Sequence, residues 1–201
     1  MSKAGVYIIS GPSGSGKDTI LKGVFKKWPD IYFSISSITR PMRTGEVEGD
    51  KYHFISQKEF EDLLKNDMML EHNVFLGNYY GTPKKPIVDA VNSGKDAIIE
   101  VDVNGAAQIR KKMPECVSVF IMPPSLEVLK DRLTKRGTES DELIDKRINE
   151  ALREIKCAKD YDYIIVNDTI EQATDDFVSI IRSCRLKNEN QKHMINSVLG
   201  K

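Results

Sequence analysis

The chain has 201 residues, 30 basic and 30 acidic side chains, a formal net charge of +0 and 40% hydrophobic residues. That length suits one compact domain with insertions, and the neutral balance excludes a protein held to nucleic acid by bulk charge. No stretch approaches the roughly 20 apolar residues that span a bilayer, and no apolar leader follows the first charges. The expected location is therefore cytoplasmic, with no membrane and no nucleic acid as partner. Three widely spaced cysteines (Cys116, Cys157, Cys184) fit neither a disulfide framework nor a zinc knuckle, so thiols in or near the core are expected. The three histidines lack HExxH-like spacing, so a metal site built from protein side chains is not expected.

In chain order, Val6-Tyr7-Ile8-Ile9 is a short apolar run ending in a glycine-rich turn. From Lys17 the period changes, and Ile20, Leu21, Val24 and Phe25 fall on one face of a helix. Strand, glycine loop and helix make the first unit of a parallel α/β domain. Residues 34–83 break the alternation: they are rich in Ser, Thr, Tyr, Gly and Arg, with short strand patterns around one helix that Ser56-x-x-Glu59 caps. A helix is expected at about 84–93, stopped by Gly94, then a buried strand at 97–101 and a helix at 103–112. Another strand spans 117–121. Residues 125–158 are charged and helical, interrupted at Arg136-Gly137-Thr138. A last strand at 163–166 leads through Thr169-x-x-Gln172, a capping-box pattern, into a helix at 170–185. The pattern predicts an α/β three-layer fold with a central parallel sheet. Residues 1–33, 84–124 and 159–201 form its core, and 34–83 and 125–158 are two insertions that hold the binding parts. For the polar tail from Leu186, three readings stand open: an extension of the last helix, a contact with a second subunit, or disorder.

Gly11-Pro12-Ser13-Gly14-Ser15-Gly16-Lys17 matches G-x-x-x-x-G-K between a strand and a helix, the context in which that spacing is informative. Glycines let the backbone form a nest whose N–H groups face phosphate oxygens, and the helix N-terminus adds positive potential. Lys17 reaches the terminal phosphates of a nucleoside triphosphate. The next position is usually a Ser or Thr that ligates Mg²⁺; here it is Asp18, followed by Thr19. Asp18 either meets Mg²⁺, directly or through water, or points away as a favourable acid in the first helical turn.

The segment from Ser34 to Phe54 holds Arg40, Arg43 and Tyr52, donors able to converge on a second phosphate. With Gly77-Asn78-Tyr79-Tyr80-Gly81-Thr82, Glu100-Val101-Asp102-Val103-Asn104-Gly105, Pro123-Pro124-Ser125 and the run Leu129 to Thr138, it resembles the guanylate kinase family. Arg147, Tyr161-Asp162-Tyr163 and Val166-Asn167-Asp168 complete a likeness running from about residue 5 to 185. Ile38, Glu100 and Asp18 depart from the family pattern, and only Asp18 touches a role.

The resemblance implies ATP and GMP as substrates, with dGMP as a second acceptor, Mg²⁺ as cofactor, and a monomer or homodimer. ATP would lie on Gly11, Pro12, Ser13, Gly14, Ser15, Gly16, Lys17, Asp18 and Thr19. Arg132 and Asn167, with Asp168, would border the adenine. Arg40, Arg43, Tyr52 and Tyr80 would hold the GMP phosphate; Glu71 would accept from guanine N1–H and its amine while Ser36 and Thr82 donate to O6. Asp102 would orient either Mg²⁺-bound water or the acceptor guanosine. Lys17, Arg40, Arg136 and Arg147 would be catalytic, the last two from a lid at 125–158, and 34–83 would be the GMP-binding insertion. No general base is needed, because a phosphate monoester with a second pKa of about 6 is already mostly dianionic at neutral pH. Two other readings, a sugar-phosphate kinase and a non-enzymatic scaffold, are weighed against by the guanine set and by the retained lysine and lid arginines.

Overall fold

The computed structural model describes residues 4–135 and 141–200. Five strands form a wholly parallel sheet: β1 (Val6–Ser10), β2 (Ile31–Phe33), β7 (Asp96–Glu100), β8 (Val117–Met122) and β9 (Tyr163–Val166), in the order β2-β7-β1-β8-β9. Every residue of β1 is buried, because helices cover both faces and leave no solvent side for polar alternation. Tyr7 and Ile9 point to one face, where α1 (Lys17–Lys27) and α7 (Ile170–Leu186) contribute Ile20, Val24 and Phe177. Val6 and Ile8 point to the other, against Ile87 of α3 (Lys84–Asn92) and Ile109 of α4 (Val103–Lys112). Alternation thus survives as two cores rather than as inside and outside.

Two close approaches tighten this frame. Gly23 lets α1 touch α7, for a Cβ there would lie 2.6 Å from Thr174 Oγ1. Asp96, fully buried at the start of β7, accepts from Gly5 N at 2.9 Å, Trp28 Nε1 at 3.1 Å and Arg185 Nε at 2.8 Å, so its charge is met by three donors.

A second sheet of four strands contains β3 (Ser36–Ile38), β4 (Tyr52–Phe54), β5 (Met69–Phe75) and β6 (Asn78–Pro83), ordered β4-β3-β6-β5. Between β4 and β5 lies α2 (Gln57–Lys65), started by the complete Ser56–Glu59 capping box. Leu76 and Gly77, both at positive φ, make the tight turn of the β5–β6 hairpin. After β8 come α5 (Leu126–Thr134) and α6 (Asp141–Lys156); Arg136 lies outside the described residues.

Three findings depart from the sequence expectations. The central sheet has an unexpected fifth strand, β2, whose three half-buried residues pair with β7 at the sheet edge. Thr169 caps α7 through Gln172 N, but the Gln172 amide turns to Asp176 instead of closing the box. The tail forms a separate helix, α8 (Asn188–Val198), because Lys187 leaves helical geometry at ψ 140. None of the described helices is long and apolar enough to cross a membrane.

Candidate active site

Parallel strands place all their C-terminal ends on one edge, so the turns after β1, β7 and β9 meet there. The Gly11–Lys17 loop leaves β1, and Gly16, at φ 95, turns it into α1 with no side-chain cap on the first turn. The helix N-terminus therefore keeps donors and positive potential for an anion. Lys17 Nζ folds back onto the carbonyls of Gly11 at 2.7 Å and Pro12 at 3.3 Å.

A cleft of about 740 Å³ runs from this loop to the small sheet, with Lys17 and Asp18 at one side and Ser36 and Tyr52 at the other. Glu100 and Glu154 line the same cleft. Burial pushes the Glu100 carboxyl up, against the pull of Lys17 and with a further push from Asp18. Burial likewise pushes Glu154 up, and Lys17 again opposes it. Neither glutamate had a role assigned from the sequence; Glu154 carries no local signal, being one acid among many on α6.

On the small sheet Arg40 makes a bidentate pair with Glu46, at 2.7 and 2.5 Å, and lies over the rings of Tyr52 and Phe54. The pair raises the Arg40 guanidinium pKa, with Tyr80 adding to it. Glu46 also accepts from Arg43 N at 2.7 Å, and together Arg40 and that N–H hold its carboxyl down at about 2. Glu46 is thus the organiser of the arginine loop. Its place three residues after Arg43 was the available sign.

Glu71 is buried and accepts from Thr82 Oγ1 at 2.6 Å. The two are direct partners in the β5–β6 ladder, and Ser37 pairs with Gly81, which sets Ser36 at the same level as Thr82. Residues at one level of paired strands share a face, so the three expected base readers stand together. Burial lifts the Glu71 carboxyl to about 6, the Thr82 hydroxyl opposes this, and Asp102 adds to it. Gly105 gives the room: a Cβ there would be 3.2 Å from Glu71 Oε2. Asp102 lines the cleft and caps α4, accepting from Gly105 N at 2.7 Å.

The helical segment reaches the phosphate loop at two points. Arg147 Nη2 donates to Ser13 Oγ at 2.6 Å. Arg132 Nη2 donates to the Asn167 carbonyl at 3.1 Å, while Asn167 Nδ2 donates to the Ser15 carbonyl at 2.6 Å. Asn167 is fully buried with its amide nitrogen on the loop backbone; Asp168 is exposed.

A phosphate loop at the C-terminal edge of a parallel sheet, opening into one cleft that reaches Ser36, Lys51 and Tyr52 of the small-sheet segment, defines a P-loop phosphotransferase. The guanylate kinase family model matches residues 3–184. A guanylate kinase of Carboxydothermus hydrogenoformans is 44% identical over 195 residues, covering 97% of this chain and 96% of the relative. One from Oceanobacillus iheyensis is 42% identical, covering 96% and 94%. The crystal structure of the Anaplasma phagocytophilum guanylate kinase superposes with a TM-score of 0.73 at 32% identity, covering 98% of this chain and 95% of that one. The chain belongs to the guanylate kinase family, nucleoside monophosphate kinases that move a phosphoryl group from ATP to GMP.

Proposed function

We propose that the cleft binds ATP on Gly11–Thr19 and GMP on the small sheet, and that the two insertions close over both. The carrying observation is that one cleft joins Lys17 to Ser36 and Tyr52. Arg40, Arg43, Tyr52 and Tyr80 take the GMP phosphate, and Arg40 exchanges Glu46 for it at little electrostatic cost. Glu71 as carboxylate accepts the N1–H and amine of guanine while Ser36 donates to O6; Thr82, whose single hydroxyl proton goes to Glu71 here, donates to O6 once it gives up that bond. Adenine, with an acceptor at N1 and an amine in place of O6, would leave these buried groups unsatisfied. dGMP is a second acceptor, since these contacts are to base and phosphate only.

The chain moves no proton to start the reaction; it aligns two polyanions, excludes water and spreads charge. Lys17 and Arg147, both at the phosphate loop, stabilise the transferring phosphoryl group. Mg²⁺ would be held mainly by the substrate phosphates, with Asp18 and Glu100 as the cleft carboxylates able to hold its water shell; no group of three ligating side chains occurs among the described residues. It would neutralise charge developing on the transferring phosphoryl group. The enzyme acts in the cytoplasm, as a monomer or homodimer.

A coupled ADP-release assay tests this with ATP and Mg²⁺ against GMP, dGMP, AMP, UMP, CMP and ribose 1,5-bisphosphate. The expected result is turnover with GMP and dGMP alone. Preference for the sugar phosphate would overturn the base pocket.

A further inference from the structure

Asn167 closes β9 and stands between two parts that move nucleotide phosphates. Its backbone N–H donates to Met122 O at 2.8 Å, continuing the β8–β9 ladder, so the residue is held by the rigid sheet. Its Nδ2 then reaches 152 positions back in the chain to the Ser15 carbonyl at 2.6 Å, and its carbonyl takes Arg132 Nη2 of α5 at 3.1 Å. The fit is close: a Cβ on Gly16 would lie 2.3 Å from that Nδ2.

The Ser15 carbonyl and the Gly16 N–H belong to one planar trans peptide, in which the two groups point in opposite directions. Anchoring the oxygen on β9 therefore aims the Gly16 N–H away from β9, fixing the direction of a phosphate-loop donor. A second observation separates this link from ordinary core bonding. Ser15 Oγ, Asn167 Oδ1 and Arg132 Nη1 are all buried without a hydrogen-bond partner, and they are three of the five such atoms among the described residues. A polar network kept for stability alone satisfies its members, whereas this one retains unspent groups at each node.

We infer that Asn167 is a positioning residue that holds the Ser15–Gly16 peptide in its phosphate-accepting orientation and ties it to the lid helix through Arg132. The inference rests on the reading that the loop binds the ATP phosphates. It makes the adenine-side residue of the sequence motif a brace for the phosphate end.

The test uses the whole enzyme carrying Asn167→Asp or Asn167→Ser, with KM for ATP measured at saturating GMP, KM for GMP at saturating ATP, and thermal melts alongside. An ionised carboxylate cannot donate to the Ser15 carbonyl, and the Arg132 guanidinium beside position 167 favours the ionised form of an aspartate there. Asn167→Asp should raise KM for ATP about tenfold while KM for GMP stays within about twofold, and Asn167→Ser should show the same selective ATP defect. Unchanged KM for ATP in both variants would overturn the inference, as would equal rises for ATP and GMP. A wild type that binds no ATP would overturn the loop reading and this link together; wild-type binding with unaltered variants overturns the link alone.

Discussion

The two ends of the cleft are built from different material. At the phosphate loop the binding groups are backbone N–H groups and a helix terminus, shaped by glycines within seven consecutive residues, with Lys17 as the one long side chain. At the small sheet they are side chains drawn from β3, β5 and β6, and Glu71 meets Thr82 only because two strands pair in one register. On the proposed reading the first end recognises charge that any triphosphate carries. The second would recognise one base, through a buried carboxylate whose cost is met only by the right partner.

Replacing groups at each end should therefore fail differently. Lys17→Met should lower kcat about 10³-fold with every acceptor and leave the melting temperature nearly unchanged, as steady-state kinetics and a thermal melt would report. A variant retaining most of the wild-type rate would break the comparison at its phosphate end. Glu71→Ala should cost roughly 10²-fold in kcat/KM for GMP while the ratio of GMP to AMP turnover collapses. An equal loss with both acceptors would show that the carboxylate serves the sheet and not the base.

Acid should act on the base end first. Burial holds the Glu71 carboxyl raised, near 6, and only the ionised form accepts two guanine donors. KM for GMP should rise about tenfold per pH unit as pH falls below that value, while KM for ATP changes little over pH 7 to 5. Without ligand the sign reverses: a carboxyl with a raised folded pKa stabilises the fold at low pH and loses that contribution as pH rises through about 6, so the wild type should gain slightly on Glu71→Gln between pH 7 and 5. A smaller kinetic effect is expected at Arg40: Arg40→Lys keeps charge but loses the bidentate fork, and KM for GMP should rise about fivefold to tenfold. Glu46→Gln, measured beside it, should alter KM for GMP by less than that.

Much of the frame was legible in the residues. The helix expected at 103–112 is observed as Val103–Lys112, because a capped helix carries its pattern locally. The strand at 163–166 is observed as Tyr163–Val166, but as an edge strand with only Ile165 buried instead of the buried strand its apolar run suggests. β2 escaped because a three-residue edge strand after Trp28-Pro29-Asp30 shows too few residues for any period. Glu154 escaped for another reason: an acid among acids gains meaning only from the cation it faces.

By itself the sequence determined most strands and helices of the core, the phosphate loop and the family, since all of these rest on spacing within short segments. Tertiary structure alone decided what each side chain faces: Glu71 buried against Thr82, Arg147 on Ser13, and Asn167 on the loop instead of in the open. These partners stand 11, 134 and 152 positions apart. Burial and charge pairing depend on distance through space, and only the register of the strands and the packing of helices on the sheet set that distance.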